Sequence, residues 1–290
     1  MQFLGTGAAE IIPNPYCECD VCRFARKSSD PKEKRARSSF LIDSKNLIDC
    51  GPDTAFAASR YGVSLSGLKN IFVTHMHRDH FDFTDLEPAR MSATEKLTLN
   101  MYMSEAAKRG FEMMLEKTAE IAPLDAGKNL PIYKEHLIIH EMQPYQTVCT
   151  EEGMNVSALY TIHEAFYENE KALNYLFERN GKRLLYACDT GRYVEENFDF
   201  LRGKKLDYIV MEGTFGNKEV PDDFKHLNAA NFLWMIQRFQ ENGNLDDNTR
   251  IYVSHVAHKG MLTHYAYEKQ MKAADERISI AYDGLEIGEL

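Results

Sequence analysis

Three imidazoles and a carboxylate fall within six residues of this chain, in the run His75-Met76-His77-Arg78-Asp79-His80. Imidazole and carboxylate suit Zn, Mn or Fe(II), and pairs this close in sequence can serve two adjacent ions. A second cluster, Cys17-x-Cys19-x-x-Cys22, places three thiols in six residues and has the spacing of a ligand set. Buried apolar cysteines or redox-active thiols would also account for it. The remaining cysteines, Cys50, Cys149 and Cys188, lack ligand spacing and read as small core residues.

The elements that must hold these groups are legible as apolar runs. KNIFVTH reads as a buried strand delivering the histidine run at its C-terminal end. QFLGTG reads as a strand entering a glycine turn, and SSFLID with NLIDCG as a hairpin, with a basic, cysteine-rich loop between them. Further strands are expected over residues 96–103, 136–141, 154–162, 172–177, 183–187, 208–211, 250–253 and 278–282. Helices are expected over 52–61, 104–121, 228–240 and 261–274. No linker rich in Pro, Gly or Ser divides the chain, so the expectation is one α/β domain over residues 1–290. The stretch 104–131 reads as an added cover over the site or a homodimer surface.

Composition narrows the function. The 290 residues carry a formal net charge of -10, which argues against a broad grip on nucleic acid and favours a small-molecule substrate. The basic stretch Arg23 to Arg37, with Lys27, Lys32, Lys34 and Arg35, reads as a solvated loop or an anion-attracting rim. No apolar stretch approaches the roughly 20 residues of a membrane span. The opening MQFLGTGAAEII lacks the charge pattern of an export signal, so the expected address is the cytoplasm. There thiols stay reduced and disulfides are not expected.

His75-x-His77-x-Asp79-His80 resembles the HxHxDH signature of the metallo-β-lactamase superfamily, and the resemblance extends over nearly the whole chain. It implies an αββα sandwich, two packed mixed β-sheets flanked by helices. It implies a hydrolase with two divalent ions, Zn or Mn, that activate a water between them. In the order the family uses, His163, Asp189 and His255 follow predicted strands. The resemblance then assigns His75, His77 and His163 to one ion, Asp79, His80 and His255 to the other, and Asp189 to both. Asp49, in LIDCG, resembles the family's early Asp-x-Gly motif, whose carboxylate supports the histidine turn from behind.

The cysteine cluster needs a fourth ligand to complete a structural zinc site, and His258, three residues beyond His255, is the best candidate. CxCxxC near the N-terminus with HxxH near the C-terminus resembles the phosphoribosyl 1,2-cyclic phosphate phosphodiesterases of phosphonate breakdown. That subfamily implies a further histidine near the substrate that binds no metal, and His226 matches it by position. His136, His140 and His264 fit no motif and read as structural. The leading expectation is a phosphodiesterase acting on a small, cyclic or open, phosphodiester, with Asp79 and His226 in catalytic roles. The alternatives are an RNA-processing nuclease with the same metal set and a non-catalytic metal-binding carrier in cofactor biosynthesis.

Overall fold

The computed structural model describes residues 1–86, 97–121 and 136–290. One sheet carries strands β1 (Gln2–Gly5), β2 (Ser39–Asp43), β3 (Asn46–Ile48), β4 (Asn70–Phe72), β5 (Leu99–Met103) and β6 (Leu137–Glu141), adjacent in that order. The other runs from β13 (Ile278–Ile280) through β12 (Arg250–Ser254), β11 (Tyr208–Glu212), β10 (Lys182–Ala187), β9 (Lys171–Arg179) and β8 (Asn155–Glu164) to β7 (Thr147–Cys149). Both sheets are mixed: β1, β2 and β3 pair antiparallel while β3 to β6 run parallel. In the second sheet β10 to β13 are parallel and β7 to β10 antiparallel.

Aromatic residues fill the space between the sheets. Phe3, Phe40 and Phe72 from one sheet meet Tyr175, Phe177 and Tyr186 from the other, all buried. The outer face of the second sheet is covered by helices Ala229–Glu241 and His264–Ala274, through Phe232, Met235, Phe239, Tyr267 and Met271. Helices Thr54–Arg60 and Glu105–Ile121 cover the first, through Ala57, Ala58, Phe111 and Leu115. The layers are helix, sheet, sheet, helix, as expected. Central parallel strands are buried on both faces, so β11 and β12 read as apolar runs rather than alternating ones.

Three local expectations are corrected. The basic loop contains a helix, Asp20–Lys27, which buries Val21, Cys22 and Ala25 and turns its charges outward. Arg35 from the same stretch is neither solvated nor part of a rim. It is 4% exposed and donates to Thr6 Oγ1 at 2.7 Å and to the Ala281 carbonyl at 2.6 Å. Cys149 is exposed rather than in the core, whereas Cys50 and Cys188 are buried. Residues 122–131 of the expected cover lie outside the described residues; the preceding part is the Glu105–Ile121 helix.

Candidate metal centre

Buried β4 ends at Phe72, and the chain then carries His75 to His80 through a turn closed by the His80 and Phe81 amides donating to the His77 carbonyl, at 2.9 and 3.0 Å. Asp49, fully buried just after β3, braces this turn. Its carboxylate accepts from the Thr74 amide at 2.8 Å and from Thr74 Oγ1 at 3.0 Å, and lies 2.7 Å from His80 Nδ1. Engaging Nδ1 fixes the ring and leaves Nε2 to face the site. The glycine two residues on is required by space: a Cβ on Gly51 would lie 2.2 Å from the Asp79 carbonyl oxygen.

The strand ends converge as the sequence order suggested. His163 lies inside β8, one residue before its end, rather than after it, where the β8–β9 register shifts. Asp189 follows β10 and His255 follows β12. Ligand atoms of His75, His77, His163 and Asp189 all lie within 4.8 Å of one another, and so do those of Asp79, His80, His255 and Asp189. His75 Nε2 is 2.8 Å from His77 Nδ1, and His80 Nε2 is 3.1 Å from His255 Nε2. Asp189 Oδ2 sits between the groups, 3.3 Å from His75 Nε2 and 3.0 Å from His80 Nε2.

The residues fit a pair of divalent ions. Buried Asp189 Oδ1 has no hydrogen-bond partner, although His255 Nδ1 and His226 Nδ1 stand within 3.1 and 3.2 Å of it. A buried acceptor with no donor is costly, and a mixed nitrogen and oxygen set suits Zn or Mn. Burial opposes charge on every group here, and the neighbours then decide. Burial pushes the His163 pKa down to about 4, a neutral ring ready to ligate. His80 is held well above its usual value because Asp79, Asp49 and Asp189 outweigh burial. Asp189 is held well below the carboxylate range, against burial, by His255, His163 and His80.

Glu212, the last residue of β11, was not anticipated. It is fully buried, accepts from the Thr190 amide at 2.7 Å and lies 2.9 Å from His226 Nδ1. Burial lowers the His226 pKa, but Glu212 and Asp189 together raise it to about 10. The signal for Glu212 was an acid closing the apolar strand YIVME, the place that His75, Asp189 and His255 take near other strand ends. His226, Asp189, Asp79 and His77 open onto one cavity of about 420 Å³, whose rim includes Arg78, Lys225 and Phe166.

The cysteine group assembles separately. Cys17 Sγ and Cys19 Sγ lie 3.6 and 3.5 Å from His258 Nδ1, and Cys22 completes a set within 4.8 Å. Burial raises the Cys19 thiol, but hydrogen bonds from the Cys22 backbone and His258 bring it down to about 7. Burial pushes Cys22 up to about 12. All three are free thiols at tetrahedral-set spacing.

A family model described as the beta-lactamase superfamily domain matches residues 45–255. Among curated proteins, the octanoyltransferase of Porphyromonas gingivalis is 37% identical over 82 residues, and the chain spans only 15% of its length. Coenzyme PQQ synthesis protein B of Methylococcus capsulatus is 25% identical over 99% of both chains. Among solved structures, a diphosphatase from the PhnP family superposes with a TM-score of 0.70 at 22% identity, over 99% of this chain and 96% of that one. Zinc-bound PqqB from Methylobacterium extorquens does so with 0.69 at 16% identity, over 99% of each.

Proposed function

Because the chain belongs to the beta-lactamase superfamily of metal-dependent hydrolases, we propose that it is a phosphodiesterase acting on a small phosphodiester. His75, His77 and His163 hold one divalent ion, Asp79, His80 and His255 hold a second, and Asp189 is shared. When bound, such ions would activate a water as nucleophile near neutral pH. Asp79 orients within that set, held ionised against burial by His80 and His255.

The observation that carries the reading is the Glu212–His226 pair on the same cavity as both donor groups. With Nδ1 engaged by Glu212, His226 keeps Nε2 free to give a proton to the leaving oxygen. The buried Glu212 carboxylate against Nδ1 favours the protonated ring for that task. A hydrolase that must expel an alkoxide needs such an acid; a carrier does not. The cavity, about 420 Å³, suits a small ester. Arg78 and Lys225 give its rim positive charge on a chain of net charge -10, and that overall balance disfavours an RNA substrate. Cys17, Cys19, Cys22 and His258 hold a structural zinc.

The carrier reading is favoured by the likeness to coenzyme PQQ synthesis protein B over the whole length. Metal content measured together with hydrolysis of a bis-aryl phosphodiester and an aryl phosphomonoester, with added Mn or Zn, separates the two. Three metals per chain and a diester preference support the phosphodiesterase. Metal binding without ester hydrolysis puts the carrier in its place.

A further inference from the structure

Glu170 is a buried carboxylate, 1% exposed, that the proposed chemistry does not use. It closes the turn between β8 and β9. Its amide donates to the Tyr167 carbonyl at 3.0 Å, its carbonyl accepts from the Ala165 amide at 3.0 Å, and Oε2 accepts from the Tyr167 amide at 3.1 Å. No cation pairs with it among the described residues. An acid buried without a counter-charge is costly, and it persists where its acceptor atoms are needed.

The other oxygen shows the need. Glu170 Oε1 accepts from the Met76 amide at 2.8 Å, the peptide between His75 and His77. On the far side of His75 the same hairpin makes a second tie, the Leu173 amide donating to the Thr74 carbonyl at 2.8 Å. That hairpin also carries His163, whose Nε2 lies 3.2 Å from His77 Nδ1. The turn is backed by the Glu105–Ile121 helix, where a Cβ on Gly110 would meet the Tyr167 ring at 2.1 Å. The residue before Tyr167, Phe166, reaches the cavity rim.

We propose that Glu170 is a positioning residue that sets the separation between His163 and the His75–His77 pair, and so the affinity of that one group for its ion. The inference rests on the reading of that group as metal-holding. The Asp79, His80 and His255 group has further braces of its own in Asp49 and Thr214.

Glu170→Gln keeps the volume and one acceptor but turns an N–H toward a backbone N–H. Zn²⁺ titrated against a chromophoric chelator should show the class of site that includes His163 weakened most, roughly tenfold or more, with the cysteine class unchanged. Uniform affinity in the variant and the parent, with a lower Tm alone, makes Glu170 merely structural and overturns the proposal. A parent without zinc at the histidines sinks the metal reading itself. Hydrogen exchange on the unaltered protein tests the tie even if Glu170→Gln fails to fold. The Met76 amide should exchange as slowly as that of Val73 in the metal-free protein, and fast exchange at Met76 overturns the proposal.

Discussion

The histidine and aspartate groups and the cysteine group meet at the segment His255 to His258 yet are assembled in opposite ways. The first gathers side chains from the ends of β4, β8, β10 and β12, so it exists only when both sheets are formed. The second takes Cys17, Cys19 and Cys22 from one short stretch and borrows only His258. The backbone tells the same story. Asp49, Asp189 and His255 adopt left-handed φ values of 59, 55 and 52°, whereas Cys19 is extended at -66°. Non-glycine residues reach that region at a cost, and they hold it where the surroundings dictate it. One centre is made by the fold, and the other fastens a segment to it.

Breaking the shared carboxylate should have the largest effect. Asp189→Ala is expected to lower diester hydrolysis by ~10³-fold or more, with zinc retained at the cysteine group. Loss of all three metals in elemental analysis would erase the distinction between the centres. Next comes the acid: His226→Ala should reduce kcat by about 10²-fold with both histidine-bound ions in place, as a proton donor rather than a ligand requires. Loss of an ion in that variant would make His226 part of the metal set.

The cysteine side should answer in stability. Cys19→Ala is expected to cost about 2–3 kcal/mol, roughly 5–10 °C in Tm, while the folded fraction keeps activity within a factor of about three. A proportionate loss of kcat would show the cysteine group acting on the reaction. A further effect is one of pH on the metal-free protein. The folded pKa of His226, about 10, lies above its unfolded value of 6.5. Its pairing with Glu212 therefore contributes fully below about pH 6.5 and is lost as pH rises toward 10. Denaturant midpoints over that window should fall, and His226→Gln should flatten the slope.

Much of the histidine centre was legible because each of its residues stands at or near the end of an apolar strand, and strand runs survive in sequence as Val, Ile, Leu and Phe. Glu212 was missed because the same place was read only for histidine and aspartate. The helix Asp20–Lys27 was hidden because its buried face is Val21, Cys22 and Ala25, small residues among four charges. Arg35 misled for a different reason. A guanidinium inside a protein depends on partners far along the chain, here Thr6, Ala281 and His264, which no local pattern reveals. His140 of β6 lies 2.9 Å from Asn100 of β5, His136 lies 3.4 Å from Thr98, and His264 lies 2.9 Å from Arg35.

Two residues, Val256 and Ala257, separate His255 from His258, and both are buried. The Val256 amide donates to the Thr6 carbonyl, and the Val256 carbonyl accepts from the Ala8 amide. An added or deleted residue there could not be absorbed as a surface loop absorbs one. It would rotate one histidine out of its centre while the other stayed. Length variation between relatives should therefore be tolerated elsewhere in the chain and excluded from this spacer, whose two residues act as a ruler between the centres.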